Sequence, residues 1–241
     1  MIEAFIKGIA YNIEGLKIGI KNPKLLLLGI LRFLILIAFT IILASVILTY
    51  HEKIVTSIWI KPKSIWIVWI WHFLSWILIM FLIGASTVVS YIFSQILFSV
   101  IIMEQMSKIT EKLIRNRVEE PNVPFFKKTL YLIQQEIPRT FLPISFSFGI
   151  LILGWLTPAG PVITLLSTFL SAIFLSWDNT DLVPARRLLP FKKRFLFLLK
   201  NLPFHIGFGI LLLIPVINCI LFSFAPIGAT KYYLEIEGRQ S

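Results

Sequence analysis

The sequence is poor in the residues that most enzymes and redox proteins use for chemistry. Its 241 residues include one cysteine, Cys219, and three histidines, so an internal disulfide is impossible and no metal-ligand spacing occurs. No serine or cysteine lies in a recognisable nucleophile motif, and no nucleotide-binding motif is present. These absences leave no candidate catalytic, cofactor-binding or metal-binding residue, and they predict that the chain is not an enzyme.

Acidic residues are also scarce, whereas apolar residues are abundant. The chain has 23 Lys and Arg against 12 Asp and Glu, a formal net charge of +11, but charged residues make up only 15% of it. Hydrophobic residues reach 57%, and the mean hydropathy is +0.87. This composition excludes a soluble enzyme and predicts a single integral membrane domain over residues 1–241. It leaves no room for a folded soluble face that could bind nucleic acid.

The apolar segments fall into two length classes. Residues 25–50 and 65–103 exceed the roughly 20 residues that a helix needs to cross a bilayer. Four shorter segments form two pairs, each interrupted by proline: 141–156 with 162–177, and 206–214 with 216–227. Because proline withholds a backbone donor and clashes with the preceding turn, each pair is predicted to be a hemi-penetrating helical hairpin. One kinked span or two full spans over 141–177 is the alternative for the first pair.

The hairpin turns are predicted at 158–161 and near Asn218. Interrupted backbone at membrane depth is tolerated only where protein or water satisfies its polar groups. We therefore expect both turns to face the protein interior or an aqueous cavity.

The basic residues predict the topology. The connection 51–64 has three of them, whereas most lie in 1–24, 104–139 and 186–200, which share one side with both termini if only the two long segments cross. The positive-inside rule makes that side cytoplasmic, and it places the tryptophans between Trp59 and Trp76 at the opposite interface.

Residues 2–20 and 191–202 are amphipathic. Both are predicted to be interfacial helices that contact anionic lipid headgroups.

The start of the first long segment is a candidate anion-binding site. Asn22 can cap the helix, and Pro23 suits its first position. The cap leaves amide donors and the positive end of the helix dipole beside Lys24 and Leu25. Arg32, about two turns further on, is a charge at hydrocarbon depth that either faces protein or water or snorkels to the cytoplasm.

A second set of polar residues is a candidate ion pathway. Glu104, Gln105, Lys108 and Glu111 follow the second long segment, where spacings of three and four residues place Glu104, Lys108, Glu111 and Lys112 near one face. They form either a solvated helix end or the entrance to a polar core. Asn218, at the second hairpin turn, is the remaining candidate.

Several motifs resemble one known family. They are Glu104-Gln105 at the end of a long membrane helix, 181–191 ending in Pro190-Phe191, Gly207-Phe208-Gly209, 214–218 and 226–230. From about Gly8 to Tyr233 the chain resembles the CysZ sulfate-permease family, whose superfamily includes the etoposide-induced membrane proteins of the endoplasmic reticulum. The resemblance implies two long transmembrane helices, hemi-penetrating hairpins and homo-oligomers in the bacterial inner membrane. It also implies sulfate uptake that supplies cysteine synthesis.

One motif of that family differs here. The family's sulfate site has Gly-Leu-Arg after the proline that starts the first long helix, whereas this sequence has Lys24-Leu25-Leu26. One cationic group remains, displaced by two residues. The expected function is a permease or channel for sulfate or a related oxyanion. The alternatives are a non-transporting scaffold that organises lipids or partners, and a membrane enzyme acting on lipid headgroups.

Overall fold

The computed structural model of the chain describes residues 1–94, 101–158 and 160–240. Residues 95–100 of the second long segment and residue 159 of the first predicted hairpin turn lie outside the described residues, as do the side chains of Trp66 and Cys219. The described part is all α-helical. Its helices are α1 (Ile2–Lys21), α2 (Pro23–Thr49), α3 (His51–Ile58), α4 (Ile65–Ser94), α5 (Glu104–Arg115), α6 (Phe125–Leu156), α7 (Gly160–Thr180), α8 (Leu182–Arg186), α9 (Phe191–Lys200), α10 (Leu202–Ile210) and α11 (Pro215–Gln240).

Among the described residues, four helices are long and apolar enough to cross a membrane. They correspond to Pro23–Thr49, Ile67–Ser90, Leu130–Gly154 and Gly160–Thr180. An all-α membrane protein is thereby confirmed, with α2 and α4 formed by the two long segments. The first predicted hairpin, however, has helices of 32 and 21 residues, longer than its apolar segments. Full crossing by α6 and α7 therefore fits their lengths, and the half-depth arrangement of this pair stays a prediction.

The second predicted hairpin has its break where proline was expected to put it. A short 3-10 turn, Leu211–Leu213, follows α10, and extended backbone at Ile214 precedes Pro215, the first residue of α11. Phe204 of α10 stacks on Tyr232 of α11 with ring centroids 3.3 Å apart. A bend of 79° separates α9 from the helical segment that follows it. Such a bend suits an interfacial helix leading into a helix that enters the membrane.

By contacts, the chain forms two compact units, residues 1–33 with 96–241 and residues 34–95. The single membrane domain inferred from composition stays a prediction. In the second unit, Trp71 is buried and its indole N–H donates to the Trp59 carbonyl oxygen at 2.9 Å, which joins the chain before α4 to that helix. Trp69 and Trp76 are exposed, as residues of an interfacial belt would be.

In the first unit, α1 packs through its smallest residues. Its buried positions are Gly8, Asn12, Gly15 and Gly19, while Ile2, Ile6, Ile13 and Ile20 of its apolar face are exposed. A Cβ atom on Gly15 would lie 2.6 Å from the backbone nitrogen of Gly228, so α1 and α11 touch backbone to backbone. The outward isoleucine face is the surface that an interfacial helix presents to lipid.

Candidate anion-binding site

The junction between α1 and α2 has the predicted cap. The side-chain oxygen of Asn22 accepts hydrogen bonds from the backbone N–H groups of Lys24 at 3.1 Å and Leu25 at 3.3 Å, and Pro23 begins the helix. The next amide, of Leu26, donates to the Asn22 carbonyl oxygen at 2.9 Å. Pro23 has no N–H, so the first-turn amides are already bonded or missing. The expectation of open amide donors is therefore wrong, and an anion here must be held by side chains.

Those side chains line an open groove of about 660 Å³ between this junction and the end of α5. The groove is lined by Asn22, Pro23, Lys24, Ile109, Lys112, Leu113 and Asn116. The sequence predicted the first three of them as an anion site and Lys112 only as part of the charged row on α5. Lys112 and Asn116 follow Lys24 by 88 and 92 residues, and nothing in their local sequence indicated that they would meet it.

The groove has the electrostatic character of an anion site. Lys24 and Lys112 place two ammonium groups in it, and Asn22 and Asn116 add two amides. No described carboxylate lines the groove or lies within ion-pair distance of either lysine. Asn116 ends α5 in the left-handed conformation, with φ at 56°. Asparagine tolerates this conformation better than most residues.

The remaining predicted anion ligands lie elsewhere. Leu25 is fully buried and does not line the groove. Arg32 is also buried: its Nη1 donates to the Phe222 carbonyl oxygen at 2.7 Å, and its guanidinium lies 3.8 Å from the centroid of the Phe222 ring. Of the two interpretations of Arg32, the structure supports contact with protein rather than snorkelling. Arg32 therefore does not line the groove, and it cannot share a bound anion there with Lys24.

The polar row on α5 divides into surface and interior groups. Gln105 is exposed. Lys108 is paired with Glu104 at 3.1 Å and with Glu120 at 3.0 Å. Partial burial opposes the Lys108 charge, but hydrogen bonds to Glu120 and Glu104 outweigh it and raise the pKa of this lysine above its usual value. This part of the row resembles a solvated helix end.

Glu111, by contrast, is fully buried. Its carboxylate accepts hydrogen bonds from Arg186, and from Arg187 at 2.7 Å. Arg187 also pairs with Glu237 near the end of α11. The entrance to a polar core, the second interpretation of this row, therefore fits Glu111 only.

A second buried cluster joins α6, α7 and α9. Arg194 donates from Nε to Asp181 at 2.7 Å and from Nη1 to Gln135 at 3.1 Å, while Arg139 pairs with Asp178 at 3.2 Å. In the sequence, the stretch from Asp181 stands out only as part of a resemblance, and neither buried cluster was predicted. Ion pairs between distant helices leave no periodic signal in a sequence.

A polar cavity is lined by residues of both predicted hairpins. It has a volume of about 440 Å³ and is lined by Thr164, Ser167, Thr168 and Ser171 of α7, with Ile150, Gly154, Ile163 and Leu213. Leu213 belongs to the turn before α11, so both predicted hairpins contribute to it. No described residue of the predicted turn 158–161 lines this cavity, so the position of the turns beside water stays a prediction. Asn218 does not line the cavity, and its backbone N–H donates to Ile214 at 2.7 Å.

The family described as "Sulfate transporter CysZ/Etoposide-induced protein 2.4" matches residues 11–226. The chain belongs to this family. No curated protein matches the chain. The CysZ/etoposide-induced family is one of transporters and membrane proteins, not of enzymes. The matched range includes every residue of the groove, Glu111 and both of its arginine partners, whereas Glu237 lies beyond it.

Proposed function

We propose that this multi-pass membrane protein is a permease or channel for sulfate or a related oxyanion, with the groove at Lys24 and Lys112 as its entrance. The observation that carries the proposal is the pairing of two lysines and two asparagines from distant segments in one groove without a carboxylate. A doubly charged oxyanion needs several donors to replace its hydration, and this groove supplies four donor side chains.

The proposal also includes the location and the topology of the protein. In this proposal the protein lies in the bacterial inner membrane as a homo-oligomer and supplies sulfur for cysteine synthesis, as the resemblance of its sequence motifs implies; the family description itself names sulfate transport. Its termini are cytoplasmic. They share a side whether α6 and α7 cross together or return half-way, because an even number of crossings separates them. The lysines of α1 and α9 contact anionic headgroups at that surface.

Uptake of radiolabelled sulfate into liposomes containing the purified protein tests the proposal. Saturable uptake that selenate blocks, and chloride does not, is the expected result. Lys24→Glu and Lys112→Glu should each reduce uptake at least tenfold, because each reverses a charge in the groove. Lys17→Glu makes the same charge change on an exposed face of α1 away from the groove lining, and it should leave uptake at the wild-type rate.

A non-transporting scaffold is the second candidate function. Its supporting observation is the altered motif: Lys24-Leu25-Leu26 lacks the arginine that the resemblance implies, and the amides of the helix start are already bonded. Correctly folded protein that takes up neither sulfate nor phosphate would favour this function over the permease.

A further inference from the structure

Two adjacent arginines have buried N–H groups with no acceptor in the part of the chain that the structure describes. Arg186 is fully buried, and only its Nη2 has a partner, Glu111; its Nε and Nη1 have none. The Nε of Arg187 is likewise buried without an acceptor. A buried donor left unsatisfied costs about 1–3 kcal/mol, and more when it is charged. Three such donors on neighbouring residues indicate that a further acceptor belongs there.

Arg194 shows how this protein satisfies a buried arginine. It is as inaccessible as Arg186, but all three of its guanidinium nitrogens are bonded, Nε and Nη2 to Asp181 and Nη1 to Gln135. Incomplete bonding at Arg186 is therefore not a general property of buried arginines in this fold.

The charges around Arg186 are also incompletely balanced. Arg186 and Arg187 share Glu111, which is the fully buried carboxylate of the cluster. The other partners of Arg187, Glu119 and Glu237, have side chains 40% and 33% exposed and lie on its outer side. Burial lowers the pKa of Arg186 below its usual value in spite of the attraction of Glu111, Glu120 and Glu104, so these carboxylates do not make up for the water that the guanidinium has lost.

We propose that Arg186, with the Nε of Arg187, forms an interior binding site for a small oxyanion of the sulfate class, and that Glu111 is its counter-ion while no anion is bound. Charge-assisted hydrogen bonds from two guanidiniums suit the oxygens of such an anion. Glu111 occupies one nitrogen of Arg186 and leaves Nε and Nη1 to the ligand. The inference rests on the proposed function, because a permease needs interior donors to replace the water that the ion loses beyond the groove.

Equilibrium binding of radiolabelled sulfate to the purified full-length protein tests this site. Glu111→Gln keeps the size of the side chain but removes the competing charge, so sulfate should bind about tenfold more tightly, or about 1.4 kcal/mol. Arg186→Lys removes the planar fork and should weaken binding at least tenfold. Arg194→Lys makes the same change at the fully bonded arginine and should leave the affinity unaltered. Unchanged or weaker binding by Glu111→Gln would overturn the site.

Liposome uptake separates this inference from the proposed function. Wild-type uptake together with unaltered affinities in Glu111→Gln and Arg186→Lys would retain the permease and reject the interior site. Sulfate binding that depends on Arg186, without wild-type uptake, would retain the site and reject the permease.

A measurement on the wild-type protein tests the site even if the variants do not fold. In crystals grown with saturating selenate, selenium anomalous density beside Arg186 is expected, and its absence there would reject the site.

Discussion

The guanidinium of Arg32 donates a hydrogen bond of 2.7 Å to the carbonyl oxygen of Phe222. That oxygen lies four residues before Pro226, which is inside α11 and has no N–H to offer it. A charge in the first long helix thus satisfies the backbone acceptor that a proline exposes in α11. The buried charge of Arg32 and the carbonyl oxygen of Phe222, to which Pro226 cannot donate, are each unfavourable alone, and the hydrogen bond between them makes both tolerable.

Arg32→Met should destabilise the protein by about 1–3 kcal/mol, because it leaves the Phe222 oxygen buried without this donor. Pro226→Ala restores an N–H within the helix. In that background the same arginine substitution should cost less. Unfolding of the wild type, both single variants and the double variant in detergent measures the coupling as a double-mutant cycle. Strictly additive costs would show that the two features are independent.

Gly15→Ala should cost about 1–3 kcal/mol, because its new methyl group would overlap the backbone of Gly228 and force α1 away from α11. Gly84→Ala is the matched control, since a Cβ at Gly84 meets nothing within 4 Å. There the substitution should be neutral or stabilise α4 by up to about 1 kcal/mol. Thermal unfolding of both variants provides the comparison, and equal losses would contradict the close packing of α1.

The end of α11 should loosen in acid. Partial burial disfavours the Glu237 carboxylate, but hydrogen bonds from Arg187 and Arg115 outweigh it and hold its pKa below the usual 4.5. Its stabilising contribution is therefore complete above pH 4.5 and is lost as the pH falls through the lower pKa of the folded state. The protection of amide hydrogens near Glu237, taken relative to the intrinsic exchange rate at each pH, should fall over that range in the wild type. Glu237→Gln should exchange faster at neutral pH and change less in acid; an identical acid response in both proteins would refute the assignment.

Asn116 allows the groove to be changed without straining the fold. Asn116→Gly removes the amide and suits the left-handed backbone, so stability should be retained while sulfate uptake falls. Asn116→Ala removes the same amide but should also destabilise the protein by about 1 kcal/mol, because alanine disfavours a φ of 56°. Uptake and thermal unfolding distinguish the two effects. Wild-type uptake by the glycine variant would remove Asn116 from the proposed entrance.

Local signals predicted the elements of this fold that depend on local physics. The length of an apolar run identified α2 and α4, and capping preferences placed the start of α2 at Asn22 and Pro23. The lengths of α6 and α7 were underestimated because both helices continue through polar residues, including Arg139, which finds buried partners in Asp178 and Asp181. A hydropathy pattern does not anticipate such pairing.

The packing of α1 was not predicted for a different reason. Amphipathicity in a soluble protein directs the apolar face toward the core, whereas here the isoleucines are exposed and the glycines are buried. Gly15 and Gly19 have the spacing of a helix-packing motif, but the helix that packs against them could not be read from the sequence. The groove had the same difficulty: Lys24 was a candidate from the start, and Lys112 became one only when the fold brought α5 beside it.

The glycine contacts of α1 also set an order of events during synthesis. Tyr11 and Gly228 meet through their backbones, yet the ribosome makes them more than two hundred residues apart. When α1 emerges, neither α10 nor α11 exists to receive it. Its exposed isoleucines can bind α1 to the lipid surface until α10 and α11 have been synthesised. The packing of α1, the first helix to be synthesised, is therefore the last step in the assembly of the first unit. In a nascent chain stalled before α11, α1 should be accessible to protease.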